Sequence, residues 1–217
     1  MKVKILYDNE ADPGLSEGWG FSCLISMEDE KILFDTGWDG SKLLSNMAKT
    51  GEKTGDIERI VLSHSDWDHV GGLNHLEVPD AQVWVPDSFS KHMKMEIGSR
   101  FDLHEVTGPR EIMEGVWTTG ELGRDKKEQS LVIEVSNGVL VIVGCSHPGV
   151  PQILDSAGRF GKPWGIVGGM HGFDEYEVLR GLELIVPTHC TVNKQRILDL
   201  FPEKTVEGRV GLVLELN

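Results

Sequence analysis

The sequence predicts a layered α+β, or mixed α/β, sandwich with helices on the outside. Three observations point there. Strand-like runs open the chain and then alternate with helical patterns, and this succession occurs twice. Ser136-Asn137-Gly138 separates two apolar runs, Leu131–Val135 and Val139–Val143, and Asn-Gly is a strong hairpin signal. Finally, no internal repeat, low-complexity segment or linker interrupts the 217 residues, so a single domain over 1–217 is expected.

Taken in order, Val3–Tyr7, Phe21–Ser26 and Lys31–Asp35 read as strands, the last two joined by the polar turn Met27-Glu28-Asp29-Glu30. A helix is expected from about Ser41 to Lys49, with Leu43, Leu44, Met47 and Ala48 on one face and Gly51 past its end. Strand Arg59–Ser63 follows, then a short helix that Gly72 admits, then strand Gln82–Val85. From about 87 to 127 the pattern is mixed and assigns no element. Beyond the hairpin, a helix begins near Pro151 and a strand covers Trp164–Val167. A helix from about Asp174, strand Leu184–Val186, a helix from about Asn193 and a closing strand Gly211–Leu216 complete the order.

The formal net charge of −14 disfavours non-specific contact with nucleic acid or anionic membranes, and no Lys/Arg-rich run offsets it. Hydrophobic residues make up 39% of the chain, enough for an ordinary globular core. Three cysteines, Cys23, Cys145 and Cys190, show no disulfide-framework spacing, which predicts a reducing compartment. The N-terminal residues enter a strand pattern without an apolar signal-peptide region, and no run of about 18 apolar residues is present. A cytoplasmic protein is expected.

The densest chemistry lies in Ser63-His-Ser-Asp-Trp-Asp-His-Val-Gly-Gly72. His64, Asp66, Asp68 and His69 place four potential metal ligands within six positions, directly after an apolar strand. Bound divalent cations are the simplest way to make so many carboxylates and imidazoles tolerable together. Gly71-Gly72 lets the backbone turn and approach closely. Four more segments put polar groups at the ends of apolar strands. Asp35, in Phe34-Asp35-Thr36-Gly37, is suited either to a turn or to orienting a ligating imidazole. Cys145 and His147 are two apart in Gly144-Cys145-Ser146-His147; His147 reads as a ligand, Cys145 as a ligand or a small buried hydrophobe. His171, after Gly168-Gly169-Met170, is open to ligation, substrate contact or helix capping. His189, in Pro187-Thr188-His189-Cys190, reads as a sixth ligand. Cys190 points the other way if the strand continues, and is read as structural. His75, His92 and His104 read as surface residues. Trp19, Trp38 and Trp67 lie near the motifs; core packing is favoured over an aromatic wall for a flat ligand.

His64-x-Asp66-x-Asp68-His69-x-Gly71-Gly72, preceded by Asp35-Thr36-Gly37, resembles the signature of the metallo-β-lactamase superfamily, His-x-His-x-Asp-His, with Asp66 where a His is usual. The Gly-Cys-Ser-His, Gly-Gly-Met-His and His-Cys-Thr segments resemble the branch that includes the dihydropterin ribofuranosylaminobenzene-phosphate synthases. Glu128-Gln129-Ser130-Leu131 and the final strand fit as well. This resemblance implies a four-layer αββα sandwich with a dinuclear metal site. His64, position 66 and His147 would serve one metal, and Asp68, His69 and His189 the other. Cys145, His171 and Asp35 remain additional candidates.

Two divalent metal ions are expected, zinc foremost; a carboxylate at position 66 hardens the ligand set and shifts preference from zinc alone toward iron or manganese. The leading expectation is a hydrolase in which Asp68 is both ligand and orienter of water, acting on a small-molecule ester, thioester or phosphoester. The alternatives are a dihydropterin-type synthase joining a pterin diphosphate to an aryl amine, a diiron redox protein, and a non-catalytic metabolite-binding relative. The partner is expected to be a small molecule, with neither nucleic acid nor membrane. The oligomeric state is not legible.

Overall fold

A computed structural model describes residues 1–28 and 30–216; Asp29, in the turn expected between the second and third strands, lies outside the described residues. The chain divides into two compact units, residues 1–106 with 209–217, and residues 107–208.

The first unit is built on one sheet. Its chain order begins β1 (Lys2–Tyr7), β2 (Ser22–Ser26), β3 (Lys31–Phe34), β4 (Arg59–Val61), β5 (Gln82–Pro86) and β6 (Asp102–Val106). These lie side by side in that order, and the closing strand Val213–Glu215 pairs antiparallel with β1. β1 to β3 run antiparallel, whereas β3 to β6 are parallel. Parallel neighbours present their carboxyl ends along a single sheet edge, and Asp35 and His64 follow β3 and β4 there. Helix α1 (Gly40–Lys49) starts where Asp39 accepts hydrogen bonds from the Ser41 and Lys42 amides, at 2.9 and 3.3 Å, a side-chain cap on two otherwise unpaired donors. It buries Leu43 and Met47 in a core with Leu24, Leu33, Ile60 and Val83. Each such side chain contributes about 1.5–3 kcal/mol through removal from water.

An ion-pair group joins β1, β3 and the turn after α1. Lys4 bonds Glu52, and Lys31 Nζ reaches Glu52 at 3.0 Å and Asp56 at 3.0 Å. Burial works to raise the Glu52 carboxyl, but hydrogen bonds from Lys4 and Lys31 outweigh it and hold it below the usual carboxylate range. A carboxyl depressed on folding stabilises above its unfolded value of about 4.3 and loses that contribution as pH falls through the depressed value. Glu52→Gln is therefore expected to lower stability by about 1–3 kcal/mol at pH 7. In urea titrations the gap from the parent should close on acidification; a gap independent of pH would contradict it.

The second unit contains β7 (Arg110–Met113), β8 (Val116–Thr118), β9 (Leu131–Val135), β10 (Gly138–Val143), β11 (Pro163–Gly169) and β12 (Leu184–Thr188), again side by side in chain order. β9 and β10 form the hairpin that Asn137-Gly138 predicts. β10, β11 and β12 are parallel, so the segments bearing Cys145 and His147, His171, and His189 leave one sheet edge. A helix covers Val150–Ala157, with a proline in its first turn as the sequence indicates. Another covers Lys194–Leu200. Both pack apolar faces, among them Ile153 and Ile197, on a core with Val141, Ile166 and Ile185.

The fold class is α+β, as expected. One local expectation is corrected. The helix expected from Asp174 is only a 3₁₀ turn, Tyr176–Leu179. One turn buries Leu179 but offers no continuous apolar stripe to extend along. The unassigned stretch after residue 87 holds a helix, Lys91–Gly98, the edge strand β6 and the hairpin β7–β8. β6 is largely unburied, so it lacks an alternating apolar pattern. Among the described residues, no helix is long and apolar enough to cross a membrane.

Candidate metal centre

In the first unit the ligand segment begins at the end of β4 and runs into a single helical turn, Trp67–Val70. Asp66 stands at its N-cap position, but its side chain makes no capping hydrogen bond. Its Oδ2 instead lies 3.4 Å from His64 Nε2. Asp68 Oδ2 lies 3.9 Å from His69 Nε2, and the two imidazole centroids are 4.2 Å apart. Gly71 and Gly72 permit this packing, since a Cβ would come within 2.4 Å of the Trp38 carbonyl oxygen and 2.2 Å of that of Thr36.

Asp35 organises this cluster. It is fully buried, with φ of 54°, a left-handed conformation that Asp tolerates better than most residues. Its Oδ1 accepts from the Ser63 amide at 2.7 Å, and its Oδ2 accepts from Ser63 Oγ at 2.7 Å and from His69 Nδ1 at 2.7 Å. Ser63 Oγ in turn lies 2.9 Å from His64 Nδ1. A hydroxyl that donates to the carboxylate accepts the Nδ1 proton of His64. One carboxylate thus sets the tautomer of both histidines and leaves each Nε2 as the unprotonated nitrogen.

The second unit repeats the device with Glu128, a buried residue outside any metal-motif spacing. Its Oε1 accepts from the amides of Gly144, Cys145 and Ser146 at 3.1, 3.0 and 3.0 Å. Its Oε2 accepts from the His147 amide at 3.0 Å and from His147 Nδ1 at 2.8 Å. Sequence reasoning does not single out Glu128 as a site residue. The available signals are the Glu128-Gln129-Ser130-Leu131 resemblance and the place of this acidic residue just ahead of the apolar strand that pairs with the strand before Cys145. His171 Nε2 lies 3.1 Å from His147 Nε2. This is a hydrogen-bond distance between the rings, and two nitrogens on one tetrahedral zinc would be about 3.3 Å apart, so the pair suits either arrangement.

Cys145, His147 and His171 offer ligand atoms within 4.8 Å of one another, and so do Cys145, His189 and Cys190. The placement of Cys190 departs from expectation. β12 ends at Thr188, and His189 takes a left-handed φ of 43°. That breaks the strand alternation, so Cys190 turns toward Cys145 instead of away.

The three tryptophans are also corrected. Trp19, Trp38 and Trp67 are 58%, 51% and 51% exposed, hence not core residues. Each lies outside the strands, where alternation gives no buried face. His75 and His92 are exposed, and His104 is half-buried, stacked on Trp84 with centroids 4.5 Å apart.

The residues fit divalent cations by their chemistry: His64, His69 and His147 have Nδ1 engaged and Nε2 presented, beside Asp66 and Asp68 in the first unit and beside Cys145 and His171 in the second. The model for the metallo-β-lactamase superfamily matches residues 20–189, and the chain belongs to that superfamily. An uncharacterised protein of Methanocaldococcus jannaschii is 26% identical over 254 residues, spanning 98% of this chain and 99% of its own. The 7,8-dihydropterin-6-methyl-4-(beta-D-ribofuranosyl)-aminobenzene-5'-phosphate synthase of the same organism is 25% identical over 238 residues, spanning 79% and 80%. Among solved structures, Tm1679, a metal-dependent hydrolase of the beta-lactamase superfamily, matches with a TM-score of 0.81 at 24% identity, covering 99% of this chain and 98% of its own. That likeness establishes the fold.

Proposed function

We propose that this protein is a hydrolase that uses two divalent cations, zinc foremost, against a small-molecule ester, thioester or phosphoester. The observation carrying this reading is the shared preparation of His64, His69 and His147, each bonded through Nδ1 so that Nε2 remains the donor. The proposed ligands are His64, Asp66, Asp68 and His69 of the first unit and His147 and His189 of the second. Bound there, such cations lower the pKa of water toward neutrality and polarise a carbonyl or phosphoryl oxygen. Asp68, with a mostly buried side chain, would accept a hydrogen bond from the attacking water and fix its direction. Asp35 and Glu128 would hold the imidazoles against rotation during turnover. His171, beside His147, would be positioned to meet the substrate or complete the ligand set.

Protein purified without added metal is expected to contain one to two equivalents by elemental analysis, zinc above iron and manganese. His69→Ala should lose metal and all turnover across a panel of phosphoesters, thioesters and lactones. Full activity in that variant would sink the reading. A second reading, condensation of a pterin diphosphate with an aryl amine, is favoured by the relative that carries the synthase name. Product formation from those two substrates, with no hydrolysis of the panel, would select it.

A further inference from the structure

The second unit holds a donor set of a different character from the carboxylates and imidazoles described above. Cys190 Sγ lies 3.3 Å from Cys145 Sγ, although 45 residues separate them in the chain. Both are buried and neither is in a disulfide. With His189 they offer two sulfurs and one imidazole nitrogen within 4.8 Å of one another. Two backbone features bring this about. The left-handed φ of 43° at His189 turns Cys190 inward. Gly169 leaves the space, because a Cβ there would lie 2.6 Å from Cys190 Sγ and 2.6 Å from the Gly144 carbonyl oxygen.

Ligand softness decides which ion such a set prefers. Thiolates favour soft ions such as copper(I) and also bind zinc, imidazole suits zinc and copper, and carboxylates suit harder ions such as manganese. We propose that Cys145, His189 and Cys190 form a thiophilic site that captures a soft monovalent cation of the copper(I) type. Binding replaces the two S–H protons, which pass to solvent, and no electron is transferred. Two sulfurs on a tetrahedral ion at about 2.3 Å lie about 3.8 Å apart, so small χ1 rotations open the pair to receive it. The consequence for activity rests on the hydrolase reading, because His189 serves both sets. Capture of the soft ion withdraws His189 from the hydrolytic pair and stops turnover.

The test is a titration of fully reduced, metal-stripped protein with copper(I) against bathocuproine disulfonate under argon. One equivalent should bind, and mass spectrometry should show Cys145 and Cys190 protected from N-ethylmaleimide. Cys145→Ser and Cys190→Ser should each weaken capture at least 100-fold, while Cys23→Ser leaves it unchanged. Undiminished capture in either of the first two variants would overturn the site. So would wild-type protein that binds no copper, or one that only loses two hydrogens in mass, the mark of a disulfide. The readout is slower alkylation of Cys145 and Cys190 in the copper-loaded parent than in the metal-free parent, so it decides the matter even if a variant fails to fold. Copper capture by a protein without hydrolytic metal would sink the hydrolase reading alone; a zinc-loaded hydrolase without copper affinity would sink this inference alone.

Discussion

Asp35→Ala is expected to cost about 3–5 kcal/mol of stability and roughly 10- to 100-fold in metal affinity. The buried carboxylate accepts three hydrogen bonds, two from Ser63 and one from His69 Nδ1. Removing it leaves those donors in an apolar interior, at about 1–3 kcal/mol for each group unsatisfied. Alanine must also adopt the left-handed φ held by Asp35, at a further cost of about 1–2 kcal/mol. Released from the carboxylate, His69 rotates and takes the other tautomer, and His64 loses its link through Ser63. Asp35→Asn separates these effects, since Asn tolerates the left-handed region and keeps one acceptor oxygen. It should recover a good part of the stability while leaving metal affinity low. The measurements are urea denaturation and zinc competition against a chelator. If both variants held zinc as tightly as the parent, Asp35 would be a turn residue and nothing more.

Glu128→Ala is expected to produce an effect of similar size in the second unit. Five donors converge on this carboxylate, four backbone amides from Gly144 to His147 and the His147 ring. They turn the chain sharply at Ser146, whose φ is 59°, and aim His147. A stability loss of about 3–5 kcal/mol should accompany the truncation. Glu128→Gln keeps the shape but substitutes an NH₂ for one acceptor, so one oxygen's worth of donors goes unmatched. For that variant about 1–3 kcal/mol is expected, with weaker metal retention. A melt coinciding with that of the parent would refute the role given to Glu128.

The two carboxylates also show how far the sequence reaches. The ligand cluster is legible because all its members lie within one strand end and one helical turn, where spacing and spatial order coincide. Asp35 stands out beside Thr36 and Gly37 at a strand terminus, and its link to His69 is a short step once β3 and β4 are parallel neighbours. Glu128 is legible only within the Glu128-Gln129-Ser130-Leu131 resemblance, not as the partner of His147. The groups it bonds are 16 to 19 residues away, and no residue spacing announces one carboxylate gathering four consecutive amides across a hairpin. The tryptophans depart in the opposite direction, because hydropathy assigns large aromatic residues to a core that their segments never enter.

By itself, the sequence determined the α+β class, the strand ends on which chemistry is placed, and the contiguous cluster of His64, Asp66, Asp68 and His69. These depend on periodicity and contiguity, which a linear chain records directly. Only the tertiary structure decided which groups aim the imidazoles, and that Cys190 meets Cys145. Those outcomes turn on a few backbone torsions, at Asp35, Ser146 and His189, that reverse the alternation a strand pattern assumes. A left-handed residue changes the direction of every side chain after it, and residue type alone does not announce one.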